Sequence, residues 1–258
     1  MISLKILQVI PAFPPATSYG GAPVVAFEMT KALSDRRHNL TVFSTDVFNE
    51  SQRIGSNFYK FNFKVFYFKN LSNRLAYKYR IYLSPNFIIS GRYVKNFDIV
   101  HVHDFRTMLT VVIYFFCRLY DVPYILQPHG KVPIEVNQRG KYFKRLFDYI
   151  IGNRIIKNAA EILVLNNDEA KSYRIISKNV VIINNGINKA DYELPIKQNF
   201  KKKLNIPIEF EIILYVGRIN EKKGLDLLIE AFSELCKNKD KIILVLVGPD
   251  DGYSEHLK

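Results

Sequence analysis

Short runs rich in Val, Ile and Leu recur along the chain: KILQVI (5–10), LTVFST (40–45), DIVHVHD (98–104), YILQPHG (124–130), EILVLN (161–166) and VVIINNG (180–186). None keeps a strict two-residue alternation, the pattern expected of strands buried on both faces of a parallel sheet. Between most of them lie stretches with helical periodicity. In 22–36, Val25, Met29, Ala32 and Leu33 fall on one stripe; in 143–159, Leu146, Ile150, Ile151 and Ile155 do the same. Strands alternating with helices predict a doubly wound α/β sheet. The segment 47–97 is less regular, and FYKFNFKVFYF (58–68), which alternates in part, reads as a strand or hairpin.

The pattern changes after NNGI. Residues 188–207 are polar, carry the run KKK (201–203) and include Pro195 and Pro207, which predicts an interdomain linker with a short helix. The strand–helix rhythm then restarts with EIILYVG (211–217), a helix over 224–238 and KIILVLVG (241–248). The expected organisation is a first domain over 1–187, a linker over 188–207 and the start of a second over 208–258. A Rossmann-type domain needs on the order of 100 residues to close a core, so the second is expected to be the opening piece of something longer.

Composition narrows the choices little. With 258 residues the chain can bury a sizeable core. A net charge of +13 favours an anionic partner, whether nucleic acid, a membrane surface or a phosphorylated small molecule. The basic residues are dispersed and match no common nucleic-acid reader, so no nucleic-acid partner is expected. Cys117 and Cys236 lie far apart in apolar segments and read as two buried thiols of a reducing compartment. The opening MISLKILQVI reads as a strand at once rather than a signal peptide, and the run Leu109 to Cys117 is far short of the roughly 20 residues of a spanning helix. A cytoplasmic location follows as the expectation, with any membrane contact peripheral, on the inner face.

Four places could carry chemistry. PATSYGGA (15–22) follows the first strand, where ligands of doubly wound sheets sit; Gly20 and Gly21 would let a ligand approach the next helix start. Read alone, the pair is equally a tight turn. HVHD places His101 and His103 on one strand face, but no further cluster completes a metal site, so no metal is expected; Asp104 and His103 are candidates to face a cleft or acceptor, as is Asn185 of NNG. QPHG sets His129 at another strand's carboxyl end. In LYVGRINEKKGLDLLIEAF (214–232), Arg218 follows a strand and Lys223 precedes a helix, a planar fork and a point charge suited to a diphosphate.

In this order YGGA, HVHD, PHG, INNGIN, VGRINEKKG and LVLVGPD resemble the retaining GT-B glycosyltransferases of the family-four or group-one type, from residue 4 onward. The resemblance implies a complete N-terminal Rossmann-like domain that binds the acceptor, and the first part of a second that binds a nucleotide-diphosphate sugar. It implies that Arg218 and Lys223 hold the donor diphosphate, that Gly20 and Gly21 approach the same phosphate, and that His129, the catalytic candidate, stands near the transferred sugar. It implies transfer to a glycan or lipid-linked glycan with retained anomeric configuration, and no metal cofactor. Family members carry two glutamates separated by seven residues further into the second domain. Here only Glu161 and Glu169 have that spacing, at a first-domain strand and what reads as the following loop, and the pair is taken as coincidental. Half of the donor site is then expected to be missing, and transfer by the 258-residue chain weak or absent. A GT-B sugar-nucleotide epimerase and a non-catalytic anion-binding α/β protein are the alternatives. Mixed basic and aromatic stretches at 74–83 and 139–157 suit anionic lipid, or equally an ordinary solvated face.

Overall fold

The apolar runs pair side by side. In the computed structural model, which describes residues 2–55, 61–132, 141–187, 200–250 and 252–257, the chain divides into two compact units, Met1–Asn188 and Lys189–Lys258.

In the first unit the strands are β1 (Lys5–Val9), β2 (Asn39–Thr45), β3 (Lys64–Phe68), β4 (Ile99–His103), β5 (Tyr124–Gln127), β6 (Glu161–Val164) and β7 (Val180–Ile182). All pair in parallel, in the order β3-β2-β1-β4-β5-β6-β7. The helices are α1 (Gly21–Asp35), α2 (Asn73–Tyr79), α3 (Pro85–Ser90), α4 (Met108–Tyr120), α5 (Lys141–Phe147), α6 (Asn153–Asn158) and α7 (Asn167–Arg174). The strand order reverses between β1 and β4, so the loops leaving these two strands open the crevice where ligands of such sheets bind.

The two faces of the sheet differ. Leu7 and Val9 of β1, Val100 and Val102 of β4 and Leu126 of β5 join Leu109 and Ile113 of α4 in the main core. The face under α1 has a smaller core of Ile10, Phe13, Ala26 and Val42. Beside it, register places Gln8 next to His101, and His103 next to Gln127. All four are buried. Alternation thus turns one set of residues to hydrocarbon and the other to a polar layer.

Several expectations need correction. On α1 the buried residues are Pro23, Ala26 and Thr30, whereas Val25 and Met29 border a groove and Ala32 is exposed, because the helix has apolar residues on two sides. The helix expected over 143–159 is broken by a π-helical turn, Asp148–Gly152, that leaves Leu146 and Ile150 exposed while Ile155 is buried. Glu169 lies in α7, not in a loop. Cys236 is exposed; only Cys117 is buried, and burial pushes its thiol up to about 12. Residues 58–60 of the expected hairpin and 188–199 of the expected linker lie outside the described residues.

The second unit contains α8 (Phe200–Lys203), β8 (Glu211–Val216), α9 (Leu225–Cys236) and β9 (Ile242–Val247). The strands β8 and β9 form a parallel pair, from Glu211 opposite Ile242 to Val216 opposite Val247. Among its described residues the buried hydrophobics are Ile206, Leu225 and Ile242.

Candidate functional site

The candidate residues of the first unit gather at the carboxyl ends of strands: His103 ends β4, Gly21 opens α1, and Gly20, Asp104, His129 and Asn185 lie in the segments leaving β1, β4, β5 and β7. After β1 the chain runs to Gly20, whose φ of 100° and ψ of −157° suit glycine alone, and which directly precedes α1. A Cβ added at Gly21 would meet nothing within 4 Å, so the helix start has open space at that point. The loop is pinned rather than loose. Ser18 Oγ donates to the Phe48 carbonyl at 2.8 Å, and the Arg80 guanidinium lies 4.8 Å from the centre of the buried Tyr19 ring.

After β4, Asp104 adopts φ 83°, stabilised by its own Oδ1 accepting from Phe105 N at 2.6 Å. Both of its oxygens also accept from Lys131 Nζ, at 2.5 and 2.6 Å. Asp104 is thus half of an ion pair joining the loops after β4 and β5. Nearby, Arg106 forms a bidentate pair with Asp148, at 2.9 and 2.7 Å, and also donates to the Val132 carbonyl. This fork fixes the start of the π-helical turn against the same loops.

After β5, His129 (φ 53°) and Gly130 (φ 81°) form a left-handed pair. Helix α7 holds this strained corner. Buried Glu169 accepts from Gly130 N at 3.0 Å and from Leu165 N at 2.8 Å, and one turn later Tyr173 OH donates to the Lys131 carbonyl. Glu169 and Tyr173 are thus functional supports that the sequence reading missed. The available signal was Asn166, which caps α7 by accepting from Glu169 N at 2.9 Å and so marks a helix start.

The corner brings His129 onto the polar layer. His129 Nε2 is 2.9 Å from His103 Nδ1, and His103 Nε2 is 2.6 Å from Gln8 Oε1. His103 is 1% exposed, so it does not face a cleft or an acceptor as expected; it lies behind His129. Burial, opposed by Asp104 and aided by Lys131, lowers His129 to about 4. Burial, then His129, lowers His101 to about 3 against the Gln127 hydrogen bond. Burial, then the two neighbouring imidazoles, puts His103 well below its usual range. All three rings are neutral at pH 7 and hydrogen-bond as imidazoles, not as cations.

Asn185 lies elsewhere on this unit, in a groove of about 750 Å³ between α1 and the chain after β7 that also touches Gln127. No described group of three or more His, Cys, Asp or Glu side chains is arranged to hold a metal ion.

In the second unit, Arg218 and Lys223 flank the turn from β8 to α9. This turn is fastened to the end of β9 and the loop that follows: Gly217 N donates to Val247 O, and Ile219 N to Pro249 O, each at 2.9 Å. Gly248, at φ 155°, is the cause of that closeness, since a Cβ there would stand 1.8 Å from the Gly217 carbonyl oxygen. Tyr215 OH donates to the Arg218 carbonyl at 2.9 Å. Gly224, at φ 62°, then turns the chain into α9 directly after Lys223, which is exposed. Two basic residues thus flank a helix start at a strand's carboxyl end, an arrangement that suits a polyphosphate.

This arrangement can be set beside known proteins. Residues 19–191 match the family described as Glycosyltransferase Family 4, and residues 196–258 match Glycosyl transferases group 1. A lipopolysaccharide 1,2-N-acetylglucosaminetransferase of Salmonella typhimurium is 36% identical over 75 residues, 29% of this chain and 20% of that protein. The putative teichuronic acid biosynthesis glycosyltransferase TuaC of Bacillus subtilis is 28% identical over 132 residues, 50% of this chain and 32% of that protein. Among solved structures, Anabaena Alr3699/HepE in complex with UDP and glucose superposes with a TM-score of 0.69 at 16% identity, covering 98% of this chain and 64% of that one. That likeness shows the GT-B fold class. The chain spans less than two thirds of the length of each of these relatives. Because one family covers well over half of its residues, the chain belongs to glycosyltransferase family 4.

Proposed function

We propose that this chain takes part in moving a sugar from a nucleotide-diphosphate donor to a glycan or lipid-linked glycan. The observation that carries the reading is the Arg218–Lys223 turn at the carboxyl end of β8, locked by Gly248 and leading into α9. Its charges would stabilise the departing diphosphate, the task a metal serves elsewhere, so no divalent cofactor is required. The complex of the Anabaena protein with UDP and glucose supports a uridine diphosphate sugar as donor. In the first unit, Gly20 and the open space at Gly21 would admit a phosphate group, and His129 would meet the sugar. The configuration is retained: the acceptor oxygen bonds to the anomeric carbon on the face the diphosphate leaves, and its proton passes to the departing phosphate oxygen.

The test is to incubate the protein with radiolabelled UDP-sugars and a bacterial membrane extract. Label moving into glycan or glycolipid supports the reading, with anomeric proton couplings reporting the configuration. Isomerised donor without transfer would indicate an epimerase, and no turnover of any donor would remove the catalytic reading for this chain.

The acceptor side would rest on the cytoplasmic face of a membrane. No described helix is long and apolar enough to cross one. On α5 and the π-helical turn, however, Tyr142, Phe143 and Tyr149 are 84%, 81% and 83% exposed, beside Lys144 and Arg145. Exposed aromatics interleaved with cations fit an anionic lipid interface. Sedimentation with phosphatidylglycerol vesicles at low salt is expected to pull the protein down, and phosphatidylcholine vesicles are not. Phe143→Ser should weaken binding about tenfold or more, the worth of one buried aromatic. A protein left in the supernatant by anionic vesicles would end this part of the reading.

A further inference from the structure

The polar layer under α1 has a property that burial alone does not require. Gln8 lies inside the apolar run of β1 and is 0% exposed, yet it turns a carboxamide oxygen to His103 Nε2. An amide oxygen only accepts, so that contact places the His103 proton on Nε2 and leaves Nδ1 bare. A bare Nδ1 accepts, so the His129 proton must sit on Nε2, 2.9 Å away. Each ring carries one proton, because both are held neutral. His129 Nδ1 is then left as a lone pair, and no described residue hydrogen-bonds it.

We infer that Gln8 and His103 are positioning residues that fix the tautomer of His129, so that His129 presents an acceptor nitrogen at Nδ1. The consequence is one of selectivity, and it rests on the reading that His129 faces the substrate. An acceptor nitrogen pairs with a sugar hydroxyl and repels a phosphate oxygen. The relay therefore assigns His129 to a hydroxyl of the bound sugar or of the acceptor and leaves the diphosphate to other groups. Glu169 completes the device: by holding Gly130 N it keeps the left-handed corner that brings the ring to His103. The groups that surround the relay are Asp104 and Lys131 beside His129, and His101, whose ring centre lies 4.1 Å from that of His103. The Asp104 and Lys131 charges are paired with each other.

The tautomer can be read without any substrate. Long-range proton–nitrogen correlation spectra of the nitrogen-15-labelled chain, with His129 assigned from the His129→Gln variant, should show protonated Nε2 and bare Nδ1 from pH 5 to 8. Gln8→Glu keeps an acceptor and removes any amide donor, so the His129 signals should hold. Gln8→Leu removes the acceptor and should shift the tautomer ratio several-fold, up to about tenfold, the worth of one hydrogen bond. A proton on His129 Nδ1 in the unaltered chain overturns the inference, as does a reversed tautomer in Gln8→Glu. So does an unmoved ratio in a folded Gln8→Leu protein. Should Gln8→Leu fail to fold, the other two spectra decide. If these spectra come out as expected while His129→Ala leaves sugar transfer unchanged, the relay stands and the placement of His129 at the substrate fails.

Discussion

Lowering the pH from 7 to 5 is expected to remove several kcal/mol from the stability of the first unit. Three neighbouring imidazoles are kept neutral in the folded chain: His101, lowered to about 3, His129, lowered to about 4, and His103, lower than its usual range. Unfolded, each titrates near 6.5. The sign follows from proton counting. Above about pH 6.5 neither state binds these protons and stability is full; below it the unfolded state takes them up and the folded state does not, until the folded values are reached. Each group then costs about 1.4 kcal/mol per pH unit, and three together about 4 kcal/mol per unit at most. His129 is the most open of the three and contributes least. Against a typical total of about 5–15 kcal/mol, acid unfolding well above pH 3 follows. Urea denaturation at pH 7, 6 and 5 would measure it, and His101→Phe should flatten the slope by about one histidine. A stability independent of pH across that span would mean that the rings titrate in the fold as they do in the unfolded chain.

Replacing Arg218 by alanine is expected to reduce sugar transfer about 10²–10³-fold, chiefly in kcat, as when one preorganised donor to developing charge is lost. The side chain is well placed for such an effect because its backbone is hydrogen-bonded to the neighbouring strand and loop. The Gly217 amide is bonded to the end of β9 and the Ile219 amide to the loop that follows, Tyr215 holds the Arg218 carbonyl, and Gly248 allows the close contact. Arg218→Lys should recover part of the loss and remain about tenfold or more below the native rate, since an ammonium cannot pair bidentately with two phosphate oxygens. Lys223→Ala should act in the same direction. Lys237→Ala, at the exposed end of α9 and paired with Glu234, supplies the control and should change nothing. Initial rates against UDP-sugar concentration separate the two effects. An Arg218→Ala protein within threefold of the native kcat would release the turn from its assigned role.

The strands were legible because parallel β-structure buried on both faces writes itself as unbroken apolar runs, and each of the eight expected runs contains one. β3 was reached less directly, as part of an alternating segment. Helix faces were harder. On α1 an apolar stripe at helical spacing marked the groove side, since spacing reports that a helix has an apolar side and not which neighbour covers it. Among the site residues, Arg218, Lys223, Gly20 and His129 stand out locally, by their position between a strand and a helix. Gln8, Glu169 and Tyr173 do not, because their meaning arises across distances of 39 to 95 residues. The one local sign at Gln8 was a carboxamide in the middle of KILQVI, a residue that a buried strand has no reason to carry unless something faces it.

The two-stranded ladder of the second unit has a consequence for deuterium uptake. In the first unit β1, β4 and β5 each lie between two neighbours and beneath packed side chains, so their amides exchange through the rarest openings of the chain. Among the described residues β8 and β9 have only each other, and Leu214 and Val216 are 52% and 72% exposed. Half of the amides on each strand therefore point away from the ladder, and the rest are shielded by a thin apolar cover. A mass spectrum taken after brief labelling would divide the chain near residue 189, with the peptides that carry Arg218 and Lys223 heavy while those of β4 and β5 stay light. The residues assigned to the diphosphate thus sit on the softer part of the molecule, where a bound anion has the most order left to impose.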